Sequence, residues 1–435
     1  MQQEILCSNI TISDNGELLF AGKNTIELAK KYGTPLYLID EDMIRKNIRT
    51  YIDAMNKYYP EGSFPSYASK ALSFKQIYRI MKEENAGIDV VSSGELYTAI
   101  KADFPIEKAF FHGNNKTEED IKFAIDNGIG YFVVDNFWEL DCIDRVAKEK
   151  GIIQKILLRI TPGIDPHTLD AINTGKVDSK FGCAIETGQA EEIAAYSLKL
   201  SNIELCGFHC HIGSQIFESN PFMDAAKIML SFIADIKAKY GYMAKILNLG
   251  GGFASRYIES DKPVYYEDII KDIGQYIDKF CNELEIEKPI IIHEPGRSIV
   301  ASAGLTLYTV GTIKEIPGFK NYVSVDGGMG DNPRYALYSS KYTVLSANNP
   351  SGKKDYKCSV AGRCCESGDM IAENIILPKV KSGDILAVCT TGAYNYSMAS
   401  NYNRLPKPPV VMINEKADYI AVKRETFDDI IRNDI

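Results

Sequence analysis

"PIIIHEPGR", residues 289–297, starts on a proline, runs through three isoleucines and ends on histidine, glutamate, proline, glycine and arginine. A short β-branched run with no polar alternation predicts a strand buried on both faces, as in a parallel sheet. Seven runs of similar texture precede it: "SYASKA" (66–71), "IDVVSS" (88–93), "AFFHGN" (109–114), "YFVVDN" (131–136), "KILLRITP" (155–162), "LCGFHCHIGS" (205–214) and "KILNLGG" (245–251). Between them, stretches such as "SFKQIYRIMKEENAG", "TEEDIKFAIDNG" and "AAKIMLSFIADIKAKY" carry apolar residues at helical spacing. Strands alternating with helices define an α/β protein. Eight such units in about 240 residues predict a closed (β/α)8 TIM barrel rather than a doubly wound open sheet.

After Arg297 the long helical patterns stop. "GLTLYTVGTI", "YVSVDGG", "KYTVLSA", "YKCSVAG", "DILAVCTTGAY" and "VVMIN" are short runs separated by Gly, Pro and Asn, which predicts an all-β domain. "ITISDNGELLF" (10–20) reads as a hairpin that joins it, and "DEDMIRKNIRTYIDAMNKYY" (40–59) as a helix leading into the barrel. The partition is therefore a barrel over residues 36–297, with 1–35 and 298–435 forming the β domain. Two domains suit a chain of 435 residues.

Composition excludes several function classes. A net charge of −9 without any Lys/Arg-rich run argues against nucleic acid or an anionic membrane as partner. No apolar run approaches a membrane span, and "MQQEILCSNI" has no basic segment followed by an apolar one. Ten scattered cysteines suit reduced thiols in a cytoplasm.

Reactive groups of such barrels stand at the C-terminal ends of the strands. Those ends carry Lys70, Asp89, His112, Asp135, Arg159, His209, His211, Gly250–Gly252, Glu294 and Arg297, with His167 in the loop after the fifth strand. Any one of them could be a packing residue; their joint placement on one rim is harder to explain that way. "LGGGF" and "EPGR" follow the seventh and eighth strands, the usual phosphate site, although tight turns also use glycine. Lys70, in the apolar context "SYASKAL", is expected to be buried. A buried lysine is costly unless paired or chemically used, and one use is a Schiff base with a carbonyl. Lysine, anion cradle and strand-end carboxylate together fit pyridoxal 5'-phosphate, with Glu294 holding the pyridine nitrogen protonated. Cys206, His209, Cys210 and His211 are zinc-ligand types, but the spacing is not that of a finger and strand alternation separates them, so no metal is expected.

"YASKA", "HGNNKT", "TGKVDSKFG", "HIGSQ", "GGGF", "EPGR", "CESGD" and "GAYNYSMASNYN" occur in an order that resembles the diaminopimelate decarboxylases, barrel-type members of the alanine-racemase-like pyridoxal-phosphate enzymes. The resemblance covers roughly residues 20 to 425. "HIGS" and "EPGR" mark the wider family, whereas "CESGD" with "HGNNKT" points to the diaminopimelate branch. Ser93 stands where a second glycine is frequent, and Gly362 and Arg363 replace a commoner Gly-Pro context; neither position should touch chemistry. The resemblance implies that Lys70 carries the cofactor and His211 stacks on its ring. Ser214, Gly251 and Gly252 would bind its phosphate, and Glu294 its ring nitrogen, with Asp89 and Gly296 in the same cofactor site. Arg297 and Tyr394 would serve phosphate or substrate, and Arg334 and Tyr338 a distal carboxylate.

The adjacent cysteines of "GRCCESGD" (362–369) take their reading from the same resemblance. It implies that Cys365 protonates the carbanion left by decarboxylation, a task for which a largely protonated thiol is suited. Glu366 would bind the distal ammonium. Cys364 should point to the other side of an extended strand, and a vicinal disulfide is the alternative. The implied reaction converts meso-2,6-diaminoheptanedioate, a small-molecule diamino dicarboxylic acid, to L-lysine and CO2. It would run in a homodimer whose active sites are shared between subunits. The competing readings are a decarboxylase of ornithine, arginine or carboxynorspermidine, whose substrates suit two arginines and one glutamate less well. A non-catalytic homologue should lack the lysine or the thiol, and this chain has both.

Overall fold

The computed structural model describes residues 7–164 and 179–435. His167 and most of "TGKVDSKFG" lie outside the described residues. The eight expected strands all form: Phe64–Ala68, Gly87–Val90, Ala109–Phe111, Tyr131–Val134, Gln154–Thr161, Ile203–His209, Ile246–Asn248 and Ile290–His293. Each pairs in parallel with its sequence neighbour, and Ile292 and His293 pair with Phe64 and Pro65, which closes the barrel. A short extra strand, Cys183–Ala184, adds to Gln154–Thr161 outside the ring. Closure explains the β-branched runs. Side chains facing inward meet one another, as Phe110, Val133, Leu157, Cys206, Ile246 and Ile292 do, and those facing outward meet helices.

The intervening helices start where short polar side chains can satisfy free backbone amides. Ser92 accepts from Glu95 N, Asn136 from Glu139 N, and Thr117 with Asp120 forms a capping box at the head of Glu118–Asp126. Gly151, in the left-handed region at φ 66°, ends Phe137–Lys150. Among the described residues no helix is long and apolar enough to cross a membrane.

The chain separates into two compact units, one of residues 47–254 and 264–296, the other of residues 1–46, 255–263 and 297–435. These limits differ from the sequence partition at 36 and 297. Leu36–Asp40 is an apolar run like the barrel strands, but it lies between Gly304–Ile316 and Val410–Ile413 in the second unit's sheet. Periodicity alone does not say which sheet a buried strand joins. The second unit is otherwise the all-β texture expected after residue 297, and Ile10–Ile12 with Leu18–Phe20 is the N-terminal hairpin.

Candidate active site

In the barrel unit the site is built around Glu294, directly after the last strand and 8% exposed. Asn248 Nδ2 donates to its Oε1 at 2.6 Å, and His209 Nε2 lies at hydrogen-bond distance, 3.2 Å, from Oε2. His112 Nε2 stands 3.1 Å from Oε1, and the two imidazoles meet edge to face at 5.0 Å. Burial pushes the carboxyl up, but His112 and His209 more than offset it and hold Glu294 well below the usual carboxylate range. Burial also lowers both imidazoles, His209 to about 4, so at neutral pH both are neutral, and of the two only His209 Nε2 is placed to hydrogen-bond the carboxylate. The three side chains also have the spacing of a metal triad.

Asp89, buried beside this group, accepts from Ser66 Oγ at 2.5 Å. Burial and then the Glu294 charge raise its carboxyl well above the ordinary value. Burial, followed by the positive charges of Lys70 and Arg159, lowers His211 well below the usual imidazole value.

Lys70 departs from the expectation of burial. The strand ends at Ala68, and Lys70 sits in the single 3-10 turn Ser69–Ala71, exposed between two buried residues. The turn has already left the barrel wall, so the side chain escapes the apolar context of its sequence neighbours. Among the described residues the lysine that is buried is Lys116, in "HGNNKT". It donates to Glu139 Oε1 at 2.7 Å and to the carbonyls of Val133 and Gly113 at 2.8 and 2.9 Å.

The glycines bring the strand-end loops together. A Cβ on Gly251 would lie 2.1 Å from the Glu294 carbonyl oxygen, and one on Gly252 2.6 Å from that of Gly213. Gly250 N donates to Asn248 Oδ1 at 2.9 Å. The loops after the sixth, seventh and eighth strands therefore approach at backbone distance, and Ser214 lies in the first of them. Gly296 does the same for the lysine turn: a Cβ there would stand 2.9 Å from Ala68 Cβ, and Ala68 N donates to Pro295 O.

The second unit holds a separate cationic cluster. Arg297 Nη1 donates to Tyr257 OH at 2.8 Å and its guanidinium lies 4.7 Å from the Tyr394 ring centre. Arg334 Nη1 donates to Tyr342 OH at 2.9 Å, and Tyr342 OH to Asn395 Oδ1 at 3.0 Å. Burial raises the Tyr257 phenol, but the two arginines outweigh it and pull the phenol below its ordinary value. Tyr394 is in the left-handed region at φ 62°, a conformation costly for a bulky residue. Tyr338 is 37% exposed at the end of the short helix Arg334–Tyr338. Sequence reasoning missed Tyr257, Tyr342 and Asn395. Among 26 tyrosines only the neighbours of "DNPR" and "GAY" carried a signal.

The "CCESGD" segment is not an extended strand. Tyr356–Ala361 ends before it, and residues 362–369 form a loop, because Asp369 turns back to bind the chain at Cys364 N and Gly362 N. Both thiols are free, Cys364 half-buried and Cys365 exposed, as Glu366 is. Burial and then the Asp369 charge push the Cys364 thiol up to about 11.

Pyridoxal phosphate needs an amine to hold its aldehyde, an anion for its ring nitrogen, a flat side chain against the ring and loop amides for the phosphate. Lys70, Glu294, His211 and the glycine loops of one unit offer that set. Glu294 is the discriminating residue: a buried ionised carboxylate that, among the described residues, forms no ion pair with a lysine or arginine leaves a negative charge for a protonated ring nitrogen to balance.

The class that this fold and site define is that of the pyridoxal-dependent decarboxylases, whose pyridoxal binding domain matches residues 44–301. The chain is 45% identical to the diaminopimelate decarboxylase of Bacillus subtilis over 97% of its length and 96% of the relative's. It is 46% identical to that of Bacillus methanolicus, covering 95% and 96%. A crystal structure of diaminopimelate decarboxylase from M. jannaschii in complex with L-lysine superposes with a TM-score of 0.91 at 35% identity, covering 99% and 98% of the two chains. The chain belongs to the diaminopimelate decarboxylase family.

Proposed function

We infer that the protein is a pyridoxal-phosphate-dependent carboxy-lyase that converts meso-2,6-diaminoheptanedioate to L-lysine and CO2, the last step of lysine biosynthesis. The observation that carries this is identity of 45% to a curated diaminopimelate decarboxylase across essentially the whole chain, both units included. When bound, pyridoxal phosphate would supply an aldehyde that condenses with amines and a ring that takes up the electron pair left behind on the substrate when CO2 departs.

The chain's own residues do the rest. Lys70, exposed on its turn, offers the amine that holds and later releases the cofactor. Glu294 keeps a proton on the ring nitrogen, and Asn248, His209 and His112 keep Glu294 in place and ionised. His211 packs on the ring, and its neutral state avoids placing a cation beside Lys70. Gly251, Gly252 and Ser214 supply phosphate contacts. Arg334 anchors the distal carboxylate, with Tyr338 and Tyr394, and Arg297 serves phosphate or substrate. Glu366 takes the distal ammonium, and the Cys365 thiol returns a proton to the substrate carbon. Holding one end of a doubly amino-acidic substrate by both charges is what selects it over ornithine or arginine.

We further propose that the sites are shared in a two-fold homodimer and that the enzyme works in the cytoplasm, in keeping with ten free thiols. Two experiments test the proposal. Incubation with pyridoxal phosphate should give visible absorption, and borohydride should fix the cofactor to Lys70; attachment to another lysine overturns the site. Mixing inactive Lys70→Ala and Cys365→Ala subunits should restore about a quarter of wild-type activity, since half the dimers are mixed and each then has one intact site. No recovery with mixed dimers present would place both residues in one subunit's site.

A further inference from the structure

Asp369 is 3% exposed, yet among the described residues its carboxylate forms no ion pair with a lysine or arginine. Its charge is met by backbone: Oδ2 accepts from Cys364 N at 2.6 Å and Oδ1 from Met329 N at 2.5 Å. Its own carbonyl accepts from Gly362 N at 2.9 Å and its own amide donates to Glu366 O at 3.1 Å. Glycine is required opposite it, because a Cβ at Gly362 would lie 2.2 Å, and one at Gly328 2.4 Å, from a carboxylate oxygen. On the other flank, Cys365 N donates to Asn403 Oδ1 at 2.7 Å. A second buried carboxylate, Asp331, accepts from Gly328 N at 2.9 Å, so two acids are packed into one region.

A buried charge without a counter-ion is expensive, and asparagine would fill the same space. What asparagine lacks is a second acceptor. With two backbone N–H groups to receive, its amide NH2 would face one of them, donor to donor. We propose that Asp369 is the positioning residue of this loop: by clasping Cys364 N and Met329 N it sets where the Cys365 thiol and the Glu366 carboxylate stand. The proposal rests on the reading of Cys365 as proton donor and adds to it the group that aims the donor.

The test uses how the electron pair is disposed of. When CO2 leaves, the pair stays on the substrate carbon and spreads into the cofactor. A proton from Cys365 on that carbon gives lysine. A proton from water on the cofactor's aldehyde carbon gives instead, after hydrolysis, an amino aldehyde and the aminated cofactor. A displacement of the donor of about 1 Å costs on the order of 10²-fold. Asp369→Asn holoenzyme should therefore form lysine about 10²-fold more slowly, and its aldehyde-to-lysine ratio should rise at least about tenfold. Loss of folded protein alone lowers both products together and leaves the ratio unchanged. Glu139→Gln, which weakens a buried ion pair in the barrel unit, serves as that control. If Asp369→Asn does not accumulate, Gly362→Ala displaces the same carboxylate.

A second readout needs no turnover. With cofactor-free protein, iodoacetamide should label Cys365 in preference to Cys364, and Asp369→Asn should bring Cys364 to within about tenfold of its neighbour by freeing that thiol from the carboxylate. Unchanged labelling overturns the inference, and so does changed labelling with a wild-type product ratio. If Cys365→Ala also keeps the wild-type ratio, the donor reading has failed, and the labelling alone then decides what Asp369 does to the loop.

Discussion

Glu294→Gln keeps the shape of the side chain and removes its charge, which isolates what the charge does. The stability cost is bounded by the contacts. Asn248 donates at 2.6 Å and His209 Nε2 sits at 3.2 Å, and an amide offers a single oxygen, so one neighbour must face NH2. A buried donor left unpaired costs about 1–3 kcal/mol. A switch of His209 tautomer does not relieve this, since it would move the proton to Nδ1, a buried atom without a partner among the described residues, so the full range applies. The imidazole remains neutral: with a pKa already down at about 4, losing the Glu294 charge lowers it further, and no new ionisation enters the pH profile near neutrality. Catalysis suffers more. Removing one preorganised electrostatic partner costs on the order of 10²–10³ in kcat. The assay is kcat for lysine formation beside a fluorescence titration of cofactor-free protein with pyridoxal phosphate. A kcat within about threefold of wild type, with the cofactor bound as tightly, would refute the assignment of Glu294 to the ring nitrogen.

Two further outcomes concern buried charges outside the reacting groups. Asp331 is raised by burial from 3.8 to about 7, so between those values the folded chain holds a proton the unfolded chain has lost. Its stabilisation is complete below 3.8 and is lost as pH rises to about 7, so Asp331→Asn should gain in unfolding midpoint over wild type as pH rises from 3.8 to about 7; a constant difference across that window contradicts this. Lys116→Met leaves Glu139 without a cation at 0% side-chain exposure and should cost about 3–5 kcal/mol by denaturant unfolding, most of it regained in Lys116→Met/Glu139→Leu. No regain in the double variant would mean the cost lies in packing rather than in the stranded charge.

The barrel was legible because its signal is two-sided burial: "IIH", "FVV" and "ILL" have no polar-apolar alternation along the strand, and closure buries these successive residues on both faces. Leu36–Asp40 has the same texture and joins the other sheet, since a buried strand's composition reports burial and not its partners. The glycine and Glu294 positions were readable from strand ends. The apolar neighbours of Lys70 predict burial; one turn beyond the strand is enough to expose it, while among the described residues Lys116, in a polar stretch, is the lysine enclosed. Tyr257 could not be read, because Ser255–Pro263 carries a barrel loop's position in sequence but packs with the sheet unit. The cysteine loop was read as a strand because the bonds that bend it come from Asp369 and Asn403, which alternation does not report.

The central claim is that this chain removes CO2 from meso-2,6-diaminoheptanedioate, and the most direct measurement is the ratio of kcat/KM for that substrate to kcat/KM for ornithine, with product identified by mass. Satisfying both distal charges, where ornithine strands a buried arginine, is worth a few kcal/mol, so the ratio should be at least several hundred, with L-lysine and CO2 formed in equal amounts. Glu366→Ala should lower kcat/KM for meso-2,6-diaminoheptanedioate strongly, through loss of the distal ammonium contact. Comparable efficiency on the two substrates, or a product other than L-lysine, would contradict the account.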